Sequence, residues 1–287
     1  MTSTHPSTCP LCGGSPRPKS LKARHSVYEV CHQCSSLHRI DKSSGDFQAE
    51  DFRTTYGEKP SIRVAAQQRS SLWPEILAHL RPSRAATSEP ARLMDVGCGY
   101  GDLLSAARDE GWVVSGIELN PAMREECRRR SLPVDSLPLL ESGHSEEFFQ
   151  AITYINVLDS IPDPGAELRQ ASDRLTRGGR ILIRVPNGAI HGFLLRRLAN
   201  APWLLERFLR MEKTPLNEWI FHPRGIVSLL ERSGFHEVAV YPSTVGSRGW
   251  VWKAISKLLA GAGRIGGLGY PLSTSIIVTA VRRGEGS

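Results

Sequence analysis

Leu93-Met94-Asp95-Val96-Gly97-Cys98-Gly99-Tyr100-Gly101, followed one helix length later by Val113-Val114-Ser115-Gly116-Ile117-Glu118, decides the fold of this chain. An apolar run breaks into three glycines at alternate positions, and a second apolar run ends in a carboxylate. Continuous apolar runs of this length bounded by turn residues read as strands buried on both faces. Glycines directly after such a strand admit the tight turn and close backbone approach that a bound nucleotide-type group requires. A carboxylate closing the next strand is an acceptor-only group, able to receive two hydroxyl donors side by side. The order strand, glycine turn, helix, strand, acid is that of a nucleotide-type pocket.

The glycine spacing narrows the cofactor. The fingerprint of hydride-carrying dinucleotides places its third glycine three residues after the second, and Asp102 stands there. Gly97, Gly99 and Gly101 alternate instead, with Asp95 two residues before the first. In this the segment resembles the S-adenosylmethionine-dependent methyltransferases of the Rossmann-like class. The resemblance implies that the backbone of Gly97, Cys98, Gly99 and Gly101 lies against the amino-acid part of the cofactor. It implies that Asp95 supports the loop and that Glu118 takes both ribose hydroxyls. Leu119 and residues 137–139 are expected against the adenine, with no acidic partner, and Asn156 at the reactive end.

The rest of the chain continues the alternation. Asn120-Pro121 opens a helix, a short strand falls near Val134, residues 151–157 form a strand, 164–176 a helix and 179–185 a strand. A helix over 223–233 ended by Gly234, a strand over 235–241 and a last strand over 273–281 follow. Such a pattern demands a parallel sheet covered by helices on both faces. The expected fold is α/β, a Rossmann-like seven-stranded sheet, mostly parallel with the last strand antiparallel. Residues 61–80 read as an amphipathic helix interrupted near Pro74, and 81–90 as a linker. Val157-Leu158-Asp159-Ser160-Ile161-Pro162-Asp163-Pro164 and Gly178-Gly179-Arg180-Ile181 look like the subfamily that includes the ubiquinone-biosynthesis O-methyltransferases. Where that subfamily usually carries Glu-His this chain has Asp159-Ser160, and where it often has a histidine ahead of residue 223 stands Asn217. No residue is an obvious general base; His191 and His222 are the candidates, since a neutral imidazole accepts a proton near pH 7.

Cys9-x-x-Cys12 and Cys31-x-x-Cys34, with 18 residues between the pairs, read as a tetrahedral Zn²⁺ site in a zinc ribbon over residues 1–60. Four protein ligands leave no open position, so the metal is expected to be structural. A disulfide framework is the other reading of these cysteines; it suits an oxidising compartment, whereas the amino terminus has no secretory pattern and predicts a cytoplasmic location. His32 and His38 beside the site read as surface histidines. The ribbon resembles the N-terminal module of sugar C-methyltransferases and of enzymes from polysaccharide and lipid gene clusters. The methyltransferase domain is then 61–287, with substrate-side insertions at 187–218 and 247–268.

The chain carries 36 Lys and Arg against 29 Asp and Glu, a net charge of +7. No stretch of about 18 apolar residues exists to span a bilayer. Residues 190–213 and 250–259 are basic and amphipathic, and no acidic side chain occurs over 238–283. These segments read either as helices with solvated basic faces or as a lid over an amphiphilic or anionic acceptor, with peripheral contact at the inner membrane surface. The reading that follows is methyl transfer to a small-molecule, glycan or lipid-linked acceptor, O-methylation favoured. Two rivals stand beside it: an RNA methyltransferase that docks through the ribbon, and a non-catalytic cofactor-binding scaffold. Against the first, residues 1–60 hold eight Lys and Arg against six Asp and Glu, barely positive for nucleic acid.

Overall fold

The computed structural model describes residues 8–14, 19–23, 26–40, 70–80, 90–137, 139–141, 145–197, 218–243 and 270–284. Its elements, in chain order, are β1 (Lys19–Ala23), β2 (Ser26–Val30), β3 (Leu37–Arg39), α1 (Trp73–Leu80), β4 (Arg92–Val96), α2 (Asp102–Asp109), β5 (Val113–Ile117), α3 (Pro121–Arg129) and β6 (Val134–Asp135). Then come β7 (Phe149–Ile155), α4 (Pro164–Arg174), β8 (Leu175–Pro186), α5 (Gly188–Arg197), β9 (Trp219–Ile220), α6 (Pro223–Arg232), β10 (Phe235–Ser243) and β11 (Ser275–Arg282).

Seven strands form one sheet in the order β10-β11-β8-β7-β4-β5-β6. Pairings within β8-β7-β4-β5-β6 are parallel, and the last strand, β11, runs antiparallel to both neighbours. This is the expected Rossmann-like sheet. The chain moves outward from β4 in one direction through β5 and β6, then in the other through β7 and β8. The reversal therefore lies between β4 and β7, where the carboxyl ends of an open α/β sheet leave a crevice.

Period-2 alternation splits the apolar side chains between the two faces. Ile181, Ile183 and Val185 of β8 share a core with Leu168 of α4 and Leu229 of α6, while Leu182 joins Leu104 of α2 and Ile76 of α1 on the opposite face. Helix starts follow local chemistry. Asn120 Oδ1 accepts the Met123 N–H at 3.1 Å and Pro121 occupies the first helical position of α3. Asp163 Oδ1 caps α4 through the Ala166 N–H at 2.9 Å. Pro74 sits in the first turn of α1, where no intrahelical N–H is required, so it opens that helix instead of interrupting it. Residues 61–69 of the expected helix lie outside the described residues.

A second sheet, antiparallel throughout, has the order β1-β2-β3-β9. Three of its strands come from the amino-terminal module and the fourth from residues 219–220. Leu37 pairs with Ile220 and His38 with Trp219, and the His38 and Trp219 rings stack at 4.1 Å. His38 is thus half-buried against an aromatic and not a free surface group. Arg39, buried, meets Glu218 at 3.3 Å, and Leu37 packs with Tyr28, Leu195 and Ile220. Two residue positions explain how closely the modules approach. A Cβ on Gly225 of α6 would lie 2.2 Å from Ser36 Oγ, and one on Gly192 of α5 would lie 3.0 Å from Leu37 Cδ1.

Candidate cofactor site and metal centre

The glycine turn between β4 and α2 uses its three glycines differently. All have positive φ, at 72° for Gly97, 57° for Gly99 and 76° for Gly101. A Cβ at Gly97 would meet Val157 Cγ2 at 2.4 Å, and one at Gly101 would meet Leu132 Cδ1 at 2.4 Å, so both are packed against the body of the protein. At Gly99 the nearest atom among the described residues is Met123 Sδ at 4.0 Å, which leaves open room over the turn. The turn's amides are turned inward. Gly97 and Cys98 N–H donate to Ile117 O at 2.7 and 3.0 Å, and Gly101 N–H to Cys98 O at 3.0 Å. The Cys98 side chain is buried, so only its backbone faces the turn.

Glu118 follows β5 and is 2% exposed. One carboxylate oxygen accepts the Gly99 N–H and the other the Asn120 N–H, both at 2.8 Å. The carboxylate thereby ties the crest of the glycine turn to the start of α3. Burial raises its pKa, while the Asn120 and Gly99 amides oppose the rise. A carboxylate has about four lone-pair sites, and the Gly99 and Asn120 amides occupy two of them. Leu119 and Leu137, both exposed, each stand two residues beyond the paired positions Ile117 and Asp135, at the same end of β5 and β6. The sequence reading missed Asp135, which closes β6 with an exposed carboxylate accepting the Ser136 N–H at 2.6 Å. The sequence places a strand near Val134 but does not mark where it ends, so the acid that closes it carries no signal of its own.

Asp95 is buried in the middle of this end of the sheet, where Thr153 Oγ1 donates to it at 2.6 Å. Burial pushes its pKa up to about 7, against the Thr153 hydrogen bond that lowers it and with the Glu118 charge adding to the rise. The folded protein therefore holds this proton more tightly than the unfolded chain, so stability falls as pH rises from about 4 to about 7 and stays lower above. Asp95→Asn is expected to stabilise the protein by about 2 kcal/mol at pH 8 and by far less at pH 5. Denaturant melts at the two pH values check this; a gain at pH 5 as large as at pH 8 would remove the assignment.

On the other side of the reversal, Asn156 follows β7 with φ 57°, a left-handed conformation that asparagine tolerates. Its Oδ1 accepts from Arg184 Nη1 at 2.6 Å, and its backbone N–H donates to Arg184 O at 2.8 Å. Asp159 is buried nearby on the turn Leu158–Ser160; burial raises its pKa to about 7 while Arg184 opposes that rise. The histidines lie further along. His222 caps α6, its Nδ1 accepting the Arg224 N–H at 3.2 Å, and its ring meets Tyr270 edge-on at 4.9 Å. Burial lowers both His191 and His222 to about 4, so both are neutral at pH 7 and weakly basic.

The methyltransferase domain family profile matches residues 65–240. The chain belongs to the methyltransferase domain family. A ubiquinone biosynthesis O-methyltransferase of Xylella fastidiosa (strain M23) is 28% identical over 161 residues, covering 54% of this chain and 64% of that protein. One of Xanthomonas axonopodis pv. citri is 31% identical over 124 residues, 39% of this chain and 50% of that protein. The chain thus spans less than two thirds of the length of the relatives it matches. Among solved structures, a SAM-dependent methyltransferase from Archaeoglobus fulgidus aligns with TM-score 0.52 at 15% identity, covering 75% of this chain and 94% of that one. A SAM-dependent methyltransferase from Thermotoga maritima aligns with TM-score 0.52 at 14% identity, covering 77% and 92%. These likenesses show the methyltransferase fold.

The amino-terminal module brings Cys9, Cys12, Cys31 and Cys34 together beside this methyltransferase domain. Their sulfurs all lie within 4.8 Å of one another, with Cys9 to Cys34 at 4.0 Å and Cys12 to Cys31 at 3.7 Å. Zn–S bonds of about 2.3 Å in a tetrahedron place sulfurs about 3.8 Å apart, so the cluster fits zinc. The two knuckles repeat one backbone design. Gly13 N–H donates to Cys9 O and Cys9 N–H to Gly14 O, both at 2.8 Å, and Ser35 N–H to Cys31 O at 2.8 Å and Cys31 N–H to Ser36 O at 3.0 Å follow the same pattern. Ser35, with φ 61°, occupies the left-handed position that Gly13 fills in the first knuckle. Ser36 then accepts the His222 N–H at 3.0 Å, which joins the second knuckle to the cap of α6.

Among the described residues no helix is long and apolar enough to cross a membrane. Of the two basic amphipathic segments, α5 covers the start of the first and exposes Phe193 beside Arg196 and Arg197. Residues 198–217 and 244–269, which include the remainder of both segments and of both expected insertions, lie outside the described residues.

Proposed function

We propose that this protein is an S-adenosylmethionine-dependent methyltransferase that methylates an oxygen of a small-molecule, glycan or lipid-linked acceptor, with a structural zinc in a ribbon within residues 1–60. The observation that carries the reading is the bridge between Glu118 and Gly99: a buried carboxylate with spare lone pairs directly beneath an open glycine crest. When bound, the cofactor supplies a methyl group on a sulfonium that needs no further activation.

The chain's own residues divide the remaining work. Gly97, Cys98 and Gly101 hold the turn in shape through inward hydrogen bonds and packing, and Gly99 gives the cofactor's amino-acid part room. Glu118 takes the ribose hydroxyls on its remaining lone pairs, Leu119 and Leu137 offer an apolar surface for the adenine, and Asp95 with Thr153 buttresses the turn from below. Asn156 faces the reactive end across the reversal point. Positioning an acceptor in line can supply most of the barrier reduction for such a transfer, so the weakly basic His191 and His222 are not required to drive it. The ubiquinone-biosynthesis relatives support oxygen as the atom methylated.

Glu118→Ala tests the reading. Calorimetric titration with S-adenosylhomocysteine is expected to show binding weakened by about 1–3 kcal/mol, the cost of two lost hydroxyl acceptors less the relaxation of the turn. An affinity equal to that of the parent protein would take Glu118 out of the ribose site.

A further inference from the structure

The acceptor side of the cleft carries a constraint that the cofactor does not explain. Arginine has only donors, so the Asn156 atom that faces Arg184 Nη1 at 2.6 Å must be the carbonyl oxygen. The amide orientation is therefore fixed, and the Nδ2 donors of Asn156 point away from Arg184. Asn156 is partly exposed, and among the described residues its Nδ2 meets no acceptor. Arg184 is itself locked: it is buried, its Nε donates to the buried Ser243 Oγ at 3.0 Å, and its strand position pairs with Ile155 immediately before Asn156. A guanidinium bonded to the amide oxygen polarises the amide and makes its N–H groups stronger donors.

We propose that Arg184, acting through Asn156, makes the acceptor subsite a receptor for an oxyanion, so that the acceptor oxygen binds already deprotonated. The proposal rests on the methyl-transfer reading above. It accounts for the absence, among the described residues, of a strongly basic side chain at the reacting end: Asn156 Nδ2 holds the ionised form, and Arg184 is the positioning residue behind it. Among the described residues, the charged and titratable groups that face Arg184 in this relay include Asp159 on the turn after β7 and Glu75 on α1, both of which feel its charge. Placement beside the glycine turn is set by Val157, the next residue, whose side chain covers Gly97.

The test uses the full chain saturated with S-adenosylhomocysteine and the chromophore 4-nitrophenol, whose absorbance distinguishes phenol from phenolate. On the wild type the bound probe is expected to ionise about one pH unit or more below the free probe. Asn156→Asp keeps a hydrogen-bond acceptor toward Arg184 but turns a carboxylate to the cleft, and is expected to abolish the shift while the melting temperature holds. Arg184→Met, with the cofactor analogue still bound, is expected to lose more than half of it. 4-Nitrobenzoate separates the two sources of an oxyanion: tighter binding than the phenol supports a carboxyl acceptor, weaker binding an ionised hydroxyl. No ionised probe on the wild type, or an equal shift on Asn156→Asp, overturns the proposal while leaving the cofactor site intact. Failure of the wild type to bind the analogue at all removes the methyl-transfer reading and the proposal together.

Discussion

Arginine in place of Gly99 is expected to abolish cofactor binding, weakening S-adenosylhomocysteine by about 1,000-fold or more, some 4 kcal/mol. The reason is specific to this glycine. Its neighbours Gly97 and Gly101 face protein atoms at 2.4 Å, so a side chain there would first disturb Val157 or Leu132. At Gly99 the Met123 sulfur at 4.0 Å is the nearest atom among the described residues, so a long side chain enters the room over the turn and competes with the ligand itself. The left-handed backbone adds about 1–2 kcal/mol of strain for a residue with a Cβ, a cost the fold can absorb. Calorimetry should therefore report lost binding in a protein whose zinc content matches the parent's. Retained affinity in this variant would mean that the ligand lies elsewhere.

Removing the metal is the second large effect. Freshly purified protein should hold about one zinc per chain, and Cys31→Ser should lose it. Structural zinc in small modules is worth on the order of 10 kcal/mol of binding free energy, and the few apolar side chains of the amino-terminal module cannot replace that. Because Leu37 and His38 pair with Ile220 and Trp219, the loss should reach into the methyltransferase domain. Amide hydrogen exchange is expected to rise at residues 37–39 and 219–222 in metal-stripped protein, while β4, β5 and β7 keep their protection. Exchange that rises only within residues 8–40 would show the two modules to be uncoupled, and no zinc in fresh protein would remove the ribbon's metal.

The central sheet was legible because its signals are local. Long apolar runs such as 93–96 and 181–185, the cap at Asn120 and the glycines of the turn each declare an element within a few residues of itself. Glu118 was legible for the same reason, standing at the end of a clear strand. What escaped was long-range. Strand β9 is two residues long, and its partner lies in another module, so neither periodicity nor spacing marks it. The left-handed turn at Ser35 carries no glycine to announce it. The Arg184 relay to Asn156 and Ser243 joins three segments that only the folded sheet brings together. His222 illustrates the limit most plainly: a histidine ahead of a helix reads equally as a base or as a cap, and the hydrogen bond from the Arg224 amide is visible only in three dimensions.

The bond from the His222 amide to the Ser36 hydroxyl closes a loop of 186 residues. A ribosome adding about 5–20 residues each second makes the first three strands of this sheet on the order of ten seconds or more before the strand that completes them. In that interval Leu37 and its neighbours form an unpaired edge, open to the wrong partner. Early capture of zinc would shield the nascent module while it waits. Translation that halts before residue 219 would leave a sticky half-sheet that quality control must clear.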